Sequence, residues 1–256
     1  MNSENPKLSV IIAAYNSEKY LEESVCSVLK STFEDIEVII VNDGSTDSTL
    51  EIAEGIAKKD ERVGVINLDK NEGAAHARNE GIKKSRGIYV CFFDSDDISI
   101  PNRFEKQIEY LDNHRDIGFV YGDIIINFPD GKKEIIESIE FSRNPAEILK
   151  ESVERDDIKE DEEPAKYLDK NKFIPVGSVV ARKELFDKFR FDEQLSNCED
   201  YDLWLQMIGH GIKCSRIPVL AYIYRIHENQ KSKYSEKKLQ SIKRIRDKLK
   251  SRMYFD

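Results

Sequence analysis

Apolar runs rich in β-branched residues alternate with segments of helical periodicity across the first hundred residues. The runs are predicted strands, and they occupy Leu8–Tyr15, Ile36–Asp43, Val63–Asp69 and Ile88–Asp94. They lack the alternation of apolar and polar residues that marks a half-exposed strand, so both faces of the sheet should be covered. Because a helical segment follows each of the first three strands, the pattern predicts an α/β fold. We expect a doubly wound, mostly parallel sheet with helices on both faces.

The second half of the chain carries the same signals less regularly. Further elements are predicted at 102–114, 117–128, 173–186, 199–211 and 216–227, with a hairpin turn signal, Pro-Asp-Gly-Lys, at 129–132. Residues 134–172 are charged and poorly periodic, which is typical of a long excursion from a compact domain. We therefore assign one domain to 1–229, with halves 1–100 and 101–229, followed by a basic amphipathic helix at 230–256.

Composition excludes several classes of protein. A chain of 256 residues that is 39% hydrophobic can bury one sizeable core. The formal net charge of −9 disfavours binding to nucleic acid, which needs a broad basic surface. The apolar runs are far shorter than the roughly 20 residues of a membrane span. The polar N-terminus has no signal-peptide pattern, and we expect a cytoplasmic protein. The basic tail either packs its apolar stripe on the domain or lies at the inner face of a membrane.

Candidate chemistry is concentrated where the predicted strands end. Parallel strands bring their carboxyl ends to one edge of the sheet, so four short segments should meet there: 13–16, 42–45, 71–73 and 94–97. The last of these places Asp94, Asp96 and Asp97 directly after an apolar run. Neither a dinucleotide-binding glycine fingerprint nor a Walker phosphate loop is present. A diphosphate would then be held by a divalent cation that bridges carboxylates and phosphate oxygens.

The aspartates also have a simpler interpretation. Asp97 or Ser99 is well placed to cap a helix that starts near Pro101. Capping accounts for one of the acids but not for all three, so we favour the metal site.

The motifs together resemble those of a known family. "SVIIAAYN", "VIIVNDGSTDST", "NEGAAHARNEGI", "FFDSDD" and "CEDYDLWLQM" stand in the order and spacing of family-two glycosyltransferases of the GT-A fold. The resemblance runs from about Leu8 to about His227, and leaves out only the charged excursion and the basic tail.

The resemblance implies a nucleotide-binding role for residues at the strand ends. Asp43 would accept a hydrogen bond from the uracil ring, Tyr15 would lie near the base, and Arg78 would face the diphosphate or orient the acidic cluster. The full set of nucleotide-binding residues implied is Ala13, Ala14, Tyr15, Asn16, Asp43, Gly44, Gly73, Arg78, Asp94, Ser95 and Asp96.

The resemblance also implies a metal and a general base. Asp96 and Asp97 share the assignment as ligands of Mn²⁺ or Mg²⁺, and His227 is a further metal contact. Asp200, supported by Glu199, is the expected base that removes a proton from the acceptor hydroxyl. Both lie at the start of a predicted helix, where the helix dipole should keep them ionised. The alternative is that they only stabilise that helix.

Four further residues are assigned to donor or acceptor contacts: Gly177, Ser178, Trp204 and Arg225. Trp204 has an alternative interpretation as a core residue, and Arg225 and His227 have one in which neither contacts a ligand.

The expected function is metal-dependent, inverting transfer of a sugar from a nucleotide-sugar donor, with uridine diphosphate as the favoured carrier. The acceptor would be a glycan or a lipid-linked sugar in the synthesis of cell-surface polysaccharide. One alternative is a nucleotidyltransferase that makes sugar nucleotides, although the glycine- and lysine-rich loop of that class is absent. The other is a non-catalytic binding subunit, although the expected acids are all present.

Overall fold

The protein is built around one mixed β-sheet. The computed structural model describes residues 5–138, 174–227 and 236–254 apart from 252. Most of the predicted charged excursion falls outside these residues. The strands are β1 Leu8–Ala14, β2 Ile36–Asp43, β3 Val63–Leu68, β4 Tyr89–Asp94, β5 Ile98–Ser99, β6 Ile117–Asn127, β7 Lys133–Ile136, β8 Val179–Arg182 and β9 Lys213–Arg225. The helices are α1 Leu21–Leu29, α2 Thr49–Ala57, α3 Ala74–Lys84, α4 Arg103–Asn113, α5 Glu199–Gly209 and α6 Glu236–Lys250.

The predicted parallel half of the sheet is confirmed. The strand order is β3-β2-β1-β4-β8-β6-β9-β5, and β7 pairs with Ile124–Asn127 of β6, beyond the stretch that pairs with β8. β1 pairs in parallel with both β2 and β4, so that Leu8 lies opposite Ile36 on one side and Tyr89 on the other. β8 runs antiparallel to β4 and to β6, and β6 runs parallel to β9. The carboxyl ends of β1, β2 and β4 therefore meet at one edge, where ligands bind in open α/β sheets.

Each face of the sheet is covered by its own apolar core, which explains the continuous apolar runs. Successive side chains of a strand point to opposite faces. In β1, Ile11 packs under α3 and α5, whereas Val10 and Ile12 pack under α1, α2 and α4. All three side chains are fully buried. The predicted arrangement of helices on both faces is confirmed.

A short strand that the sequence did not predict holds the acidic segment. β5 follows the aspartates at once and pairs antiparallel with β9, with Ile98 opposite Ile223. The backbone N–H of Ile100 donates to the carbonyl of Ala221 and extends this attachment. Residues 94–97 thus form a tight connection between two strands, and both of its ends are fixed.

The C-terminal helix α6 packs on the same layer as α5. Ile245 and Leu249 are buried in the core beneath α5, as the predicted apolar stripe requires. Lys248 donates to the carboxylate of the fully buried Asp202 at 2.7 Å, and the hydroxyl of Tyr254 donates to the same carboxylate. The ion pair of Lys248 with Asp202 thus joins α6 to α5, and both of its side chains are shielded from water. None of the helices in the described residues is long and apolar enough to cross a bilayer.

Candidate active site

The turn after β2 is bound to the turn before α3 through Asp43. One carboxylate oxygen accepts the backbone N–H of Glu72 at 2.8 Å, and the other accepts that of Gly73 at 2.9 Å. Asp43 is buried, so these two bonds satisfy a carboxylate that has little access to water. Each carboxylate oxygen retains a second lone pair for a ligand. Asp43 therefore holds the two turns together, a role that the sequence did not suggest. This role leaves room for the predicted hydrogen bond to uracil.

Glycine is required at Gly44 for two reasons. Its φ of +62° lies in the left-handed region, and an added Cβ would lie 2.4 Å from the backbone carbonyl carbon of Lys70. Gly73 also has positive φ, +97°, but the space beside it is open. The two turns approach so closely at Gly44 that no side chain larger than the hydrogen of glycine fits between them.

The turn after β1 presents one aromatic side chain. Asn16 adopts a left-handed conformation with φ of +48°, and its side-chain oxygen accepts the backbone N–H of Thr46 at 2.9 Å. This contact joins the first two strand ends. Ala13 and Ala14 are small and at least partly buried, whereas Tyr15 is 47% exposed. A large aromatic ring at a ligand-binding edge has a face available for stacking.

Two acids of the cluster have different surroundings. Asp96 lies with one carboxylate oxygen 2.8 Å from Nε2 of His227. Asp97 is fully buried, and one of its oxygens accepts the backbone N–H of Arg225 at 3.0 Å. Burial and the neighbouring aspartates raise the pKa of both carboxyl groups. A cation placed beside Asp96 and His227 would relieve this repulsion, because it stabilises the ionised acids.

The structure brings two of the three predicted metal ligands together. Asp96 and His227 are in contact, whereas Asp97 is held inward by the end of β9. Within the described ranges, no group of three or more His, Cys, Asp or Glu side chains is arranged to hold a metal. Hard divalent cations often take only one or two protein carboxylates and complete their shell with water and substrate phosphates. The pair fits a cation that shares its ligands with a diphosphate.

Arg78 connects the acidic cluster to the start of α5. One guanidinium nitrogen donates to Asp94 at 2.8 Å and another donates to Glu199 at the same distance. Burial opposes the charge of this arginine, but Asp94, Glu199 and Asp200 outweigh it and raise its pKa. The side chain is buried, as is that of Glu199. The ion pairs therefore lie in a medium where removal of one partner is costly.

The protonation equilibrium of Asp200, the predicted base, is shifted by its surroundings. Burial, followed by repulsion from Glu199, raises its pKa to about 7. The expectation that this group is fully ionised at the start of the helix is not met at neutral pH, because burial favours its protonated form. Cys198, at the N-terminus of α5, has a φ of +58°, a rare conformation for a residue with a side chain. Such strain often accompanies functional sites.

The family model for "Glycosyl transferase family 2" matches residues 9–190. An uncharacterized glycosyltransferase of Methanocaldococcus jannaschii, MJ1057, is 31% identical over 98% of this chain and 82% of its own length. The chain belongs to glycosyl transferase family 2.

Two further comparisons place this glycosyltransferase among its relatives. The WfaP protein of Escherichia coli, named as a UDP-Glc:alpha-D-GlcNAc-diphosphoundecaprenol beta-1,3-glucosyltransferase, is 31% identical over 91% of this chain and 82% of its own length. The crystal structure of S. aureus TarS 1–349 in complex with UDP-GlcNAc superposes with a TM-score of 0.71 at 24% identity. It covers 93% of this chain, which spans 65% of the TarS chain. This likeness confirms the GT-A fold.

One predicted contact residue of the glycosyltransferase lies in the core instead of at the site. Trp204 is fully buried, stacks on Phe119 with ring centroids 5.2 Å apart, and donates its indole N–H to the carbonyl of Ile174. A sugar cannot reach it, so its assignment to donor or acceptor contacts is wrong. Its helical spacing with the other apolar residues of α5 is the signal that favours the core.

Other predicted contact residues have internal partners. The Ser178 hydroxyl donates to the carbonyl of Pro175 within its own turn. Arg225 donates through Nε to the carbonyl of Asp96 and through a terminal nitrogen to Glu23. The guanidinium therefore ties the backbone of the acidic segment to α1.

A buried cation beneath the site escaped the sequence prediction. Arg103 is fully buried and donates to the carbonyls of Gly177 and Ala221. Its guanidinium also lies 4.2 Å from the ring centroid of Phe104. In the sequence it appears only as a basic residue in the first turn of an amphipathic helix. Its inward direction depends on contacts with residues more than seventy positions away.

Proposed function

We propose that this glycosyltransferase is a metal-dependent, inverting enzyme that transfers a hexose from a UDP-sugar to a hydroxyl of a glycan or lipid-linked acceptor. The observation that carries the proposal is the double ion pair of Arg78. It joins Asp94, which neighbours the metal-binding pair, to Glu199, which neighbours the candidate base. One buried side chain thus fixes the leaving-group side and the acceptor side of the reaction relative to each other.

The donor side is built from the strand ends. Asp96 and His227 would hold Mn²⁺ or Mg²⁺, and the bound cation would supply positive charge to the leaving diphosphate. Asp43 and the closely approaching turn at Gly44 form the floor of a nucleoside site. The exposed ring of Tyr15 offers a stacking surface at its edge.

The acceptor side depends on Asp200. A carboxylate with a pKa near 7 is half ionised at neutral pH and is basic enough to take a proton from a hydroxyl as it attacks. Arg78 favours the ionised form of the acid, and Glu199 opposes it. Inversion follows if the hydroxyl attacks from the side opposite the diphosphate in one displacement. A raised pKa of this kind is common at catalytic sites and supports the enzyme over a non-catalytic binding subunit.

The comparisons support the substrate classes. WfaP is named for a UDP-glucose donor and a diphosphoundecaprenol-linked acceptor, and the TarS complex contains UDP-GlcNAc. We extend both classes to this chain and propose a role in cell-surface polysaccharide synthesis. The exposed lysines Lys237 and Lys243 of α6 support peripheral contact with an anionic membrane that holds the acceptor.

The test is the thermal stability of the protein with Mn²⁺, UDP, or both. We expect the pair to raise the Tm by about 5–10 °C at 100 times the dissociation constant, and each ligand alone to do much less. Asp96→Asn should lose the synergy. Asp116→Asn, which removes an exposed ion pair with Lys213, should retain it. A wild-type protein without synergy would contradict the proposed donor site. If synergy is found, a panel of UDP-sugars tested in the same way identifies the donor.

A further inference from the structure

His76 lies in the first turn of α3, outside the residues assigned to catalysis or binding. Its Nδ1 is 3.0 Å from a carboxylate oxygen of Glu193, and its Nε2 is 3.0 Å from one of Glu72. The imidazole is 19% exposed, so water has limited access to these contacts. One ring therefore bridges two acids that are far apart in the sequence.

The contact of Nδ1 with Glu193 is a hydrogen bond, and the contact of Nε2 with Glu72 is an ion pair only if the ring is protonated. A neutral imidazole donates from one nitrogen and accepts at the other, whereas an ionised carboxylate only accepts. The imidazolium donates from Nδ1 to Glu193 and attracts the carboxylate of Glu72 by its charge. Glu80, 4.0 Å from Nε2, adds a third negative charge on the same helix. Hydrogen bonding to Glu193 accordingly raises the pKa of His76, although burial opposes this.

Cations and amides around the bridge bind its acids. Lys70 lies 3.0 Å from Glu72, and Lys83 donates to Glu80. Asn79 donates to the second carboxylate oxygen of Glu193 at 2.8 Å. The acids are thereby held in place, and Glu72 and Glu193 each direct their other carboxylate oxygen to the ring.

The bridged acids belong to the two sides of the active site. The backbone N–H of Glu72 is bound by Asp43, so this residue is part of the nucleotide-binding turn. Glu193 lies in the segment that leads to Asp200. Its neighbour Asp192 is bonded to Arg244 at 2.9 Å and so ties that segment to α6. The imidazolium is thus a second link between the two sides, next to that of Arg78, and it joins the donor turn to the loop that precedes the base.

We propose that protonated His76 is a positioning residue that holds the nucleotide-binding turn against the segment before α5, and that its deprotonation loosens the donor site. The identity of the ligand rests on the proposed function, whereas the bridge itself does not. Below pH 6.5 the bridge is complete in the folded state. Its contribution to stability is lost as the pH rises through the raised pKa of the folded state.

The first experiment uses the free protein and needs no ligand. Imidazole resonances of the full chain are titrated by NMR, and those of His76 are assigned by their absence in His76→Gln. We expect the midpoint to lie above the ordinary value of about 6.5 and to fall in Glu193→Gln, which keeps the shape of the acid without its charge. A midpoint at or below the ordinary value would overturn the bridge.

The second experiment measures the affinity for UDP with Mg²⁺ at pH 7 and pH 9, above the range in which a terminal phosphate titrates near pH 6. We expect wild-type affinity to fall about fivefold, at the low end of common coupling between sites. His76→Gln should bind at the weaker level at both pH values, and His76→Arg, a permanent cation, at the stronger level at both. The control His114→Gln, at an exposed histidine directly after α4, should behave as the wild type does.

The outcomes separate the two proposals. If His76→Gln keeps the pH dependence of the wild type, the positioning role is refuted while the donor site stands. If the wild type binds no UDP at any pH, the proposed function fails, and the NMR titration still decides whether the bridge exists. A change in KM without a change in kcat in His76→Gln would support positioning, because the base is untouched.

Discussion

Replacement of Asp200 by asparagine should make the protein more stable and, at the same time, inactive. The pKa of this acid rises from 3.8 to about 7 on folding. Each unit corresponds to about 1.4 kcal/mol, so ionisation of the folded protein carries an upper limit of about 4 kcal/mol of instability. Relaxation and partial hydration reduce this, and we expect a gain of about 2 kcal/mol for Asp200→Asn at pH 8. Such a trade of stability for activity is common at functional sites.

The pH dependence gives the prediction its sign. Because the pKa in the folded state is raised, the wild type is most stable, with respect to this group, below about pH 4. That stability is lost between pH 4 and pH 7 as the unfolded chain ionises first. The advantage of Asp200→Asn over the wild type should therefore grow across this window and level off above pH 7. Denaturant unfolding at pH 5, 6, 7 and 8 measures it directly.

Activity and a neighbouring acid provide the controls. Sugar transfer by Asp200→Asn should fall about 10²- to 10⁴-fold, the range for loss of a general base, while the synergy between Mn²⁺ and UDP is retained. Asp202, two positions further along the same helix, accepts hydrogen bonds from Lys248 and Tyr254, and Asp202→Asn removes the charge that binds them. It should destabilise the fold by about 3 kcal/mol. If Asp200→Asn is destabilising at pH 8, or transfers sugar normally, the assignment of the base is wrong.

Two further predictions concern the strand ends and the bridge between the acids. Gly44→Ala should cost about 2 kcal/mol or more in unfolding free energy, because the added Cβ meets backbone at 2.4 Å and φ is positive. Gly64→Ala, where the space is open, should change stability by less than about 0.5 kcal/mol. Arg78→Met should cost about 3 kcal/mol, because Asp94 and Glu199 lose their common partner, and should weaken UDP binding. A Kd for UDP equal to that of the wild type would show that the link does not organise the donor site.

The order of elements and the edge of the sheet that carries the site followed from the sequence. The periodicity of strands and helices is a local property that can be read from the sequence. The parallel strands are recognisable because both of their faces are covered and their residues are therefore apolar throughout. Asp43, Asp94, Asp96 and Asp200 lie where their motifs predict, at the ends of β2 and β4 and at the start of α5. For these residues the position in the chain determines the place in the fold.

What each side chain does was decided by tertiary contacts. Arg78 meets Glu199 across 121 positions of the chain, and Asp97 meets the backbone of Arg225 across 128. The side chain of Trp204 packs in the core, and burial raises the pKa of Asp200. The strand β5 and the bridge at His76 also depend on distant partners. Burial, and with it the pKa and the hydrogen-bonding partner, depends on what packs against a residue from elsewhere in the chain, which no local pattern contains.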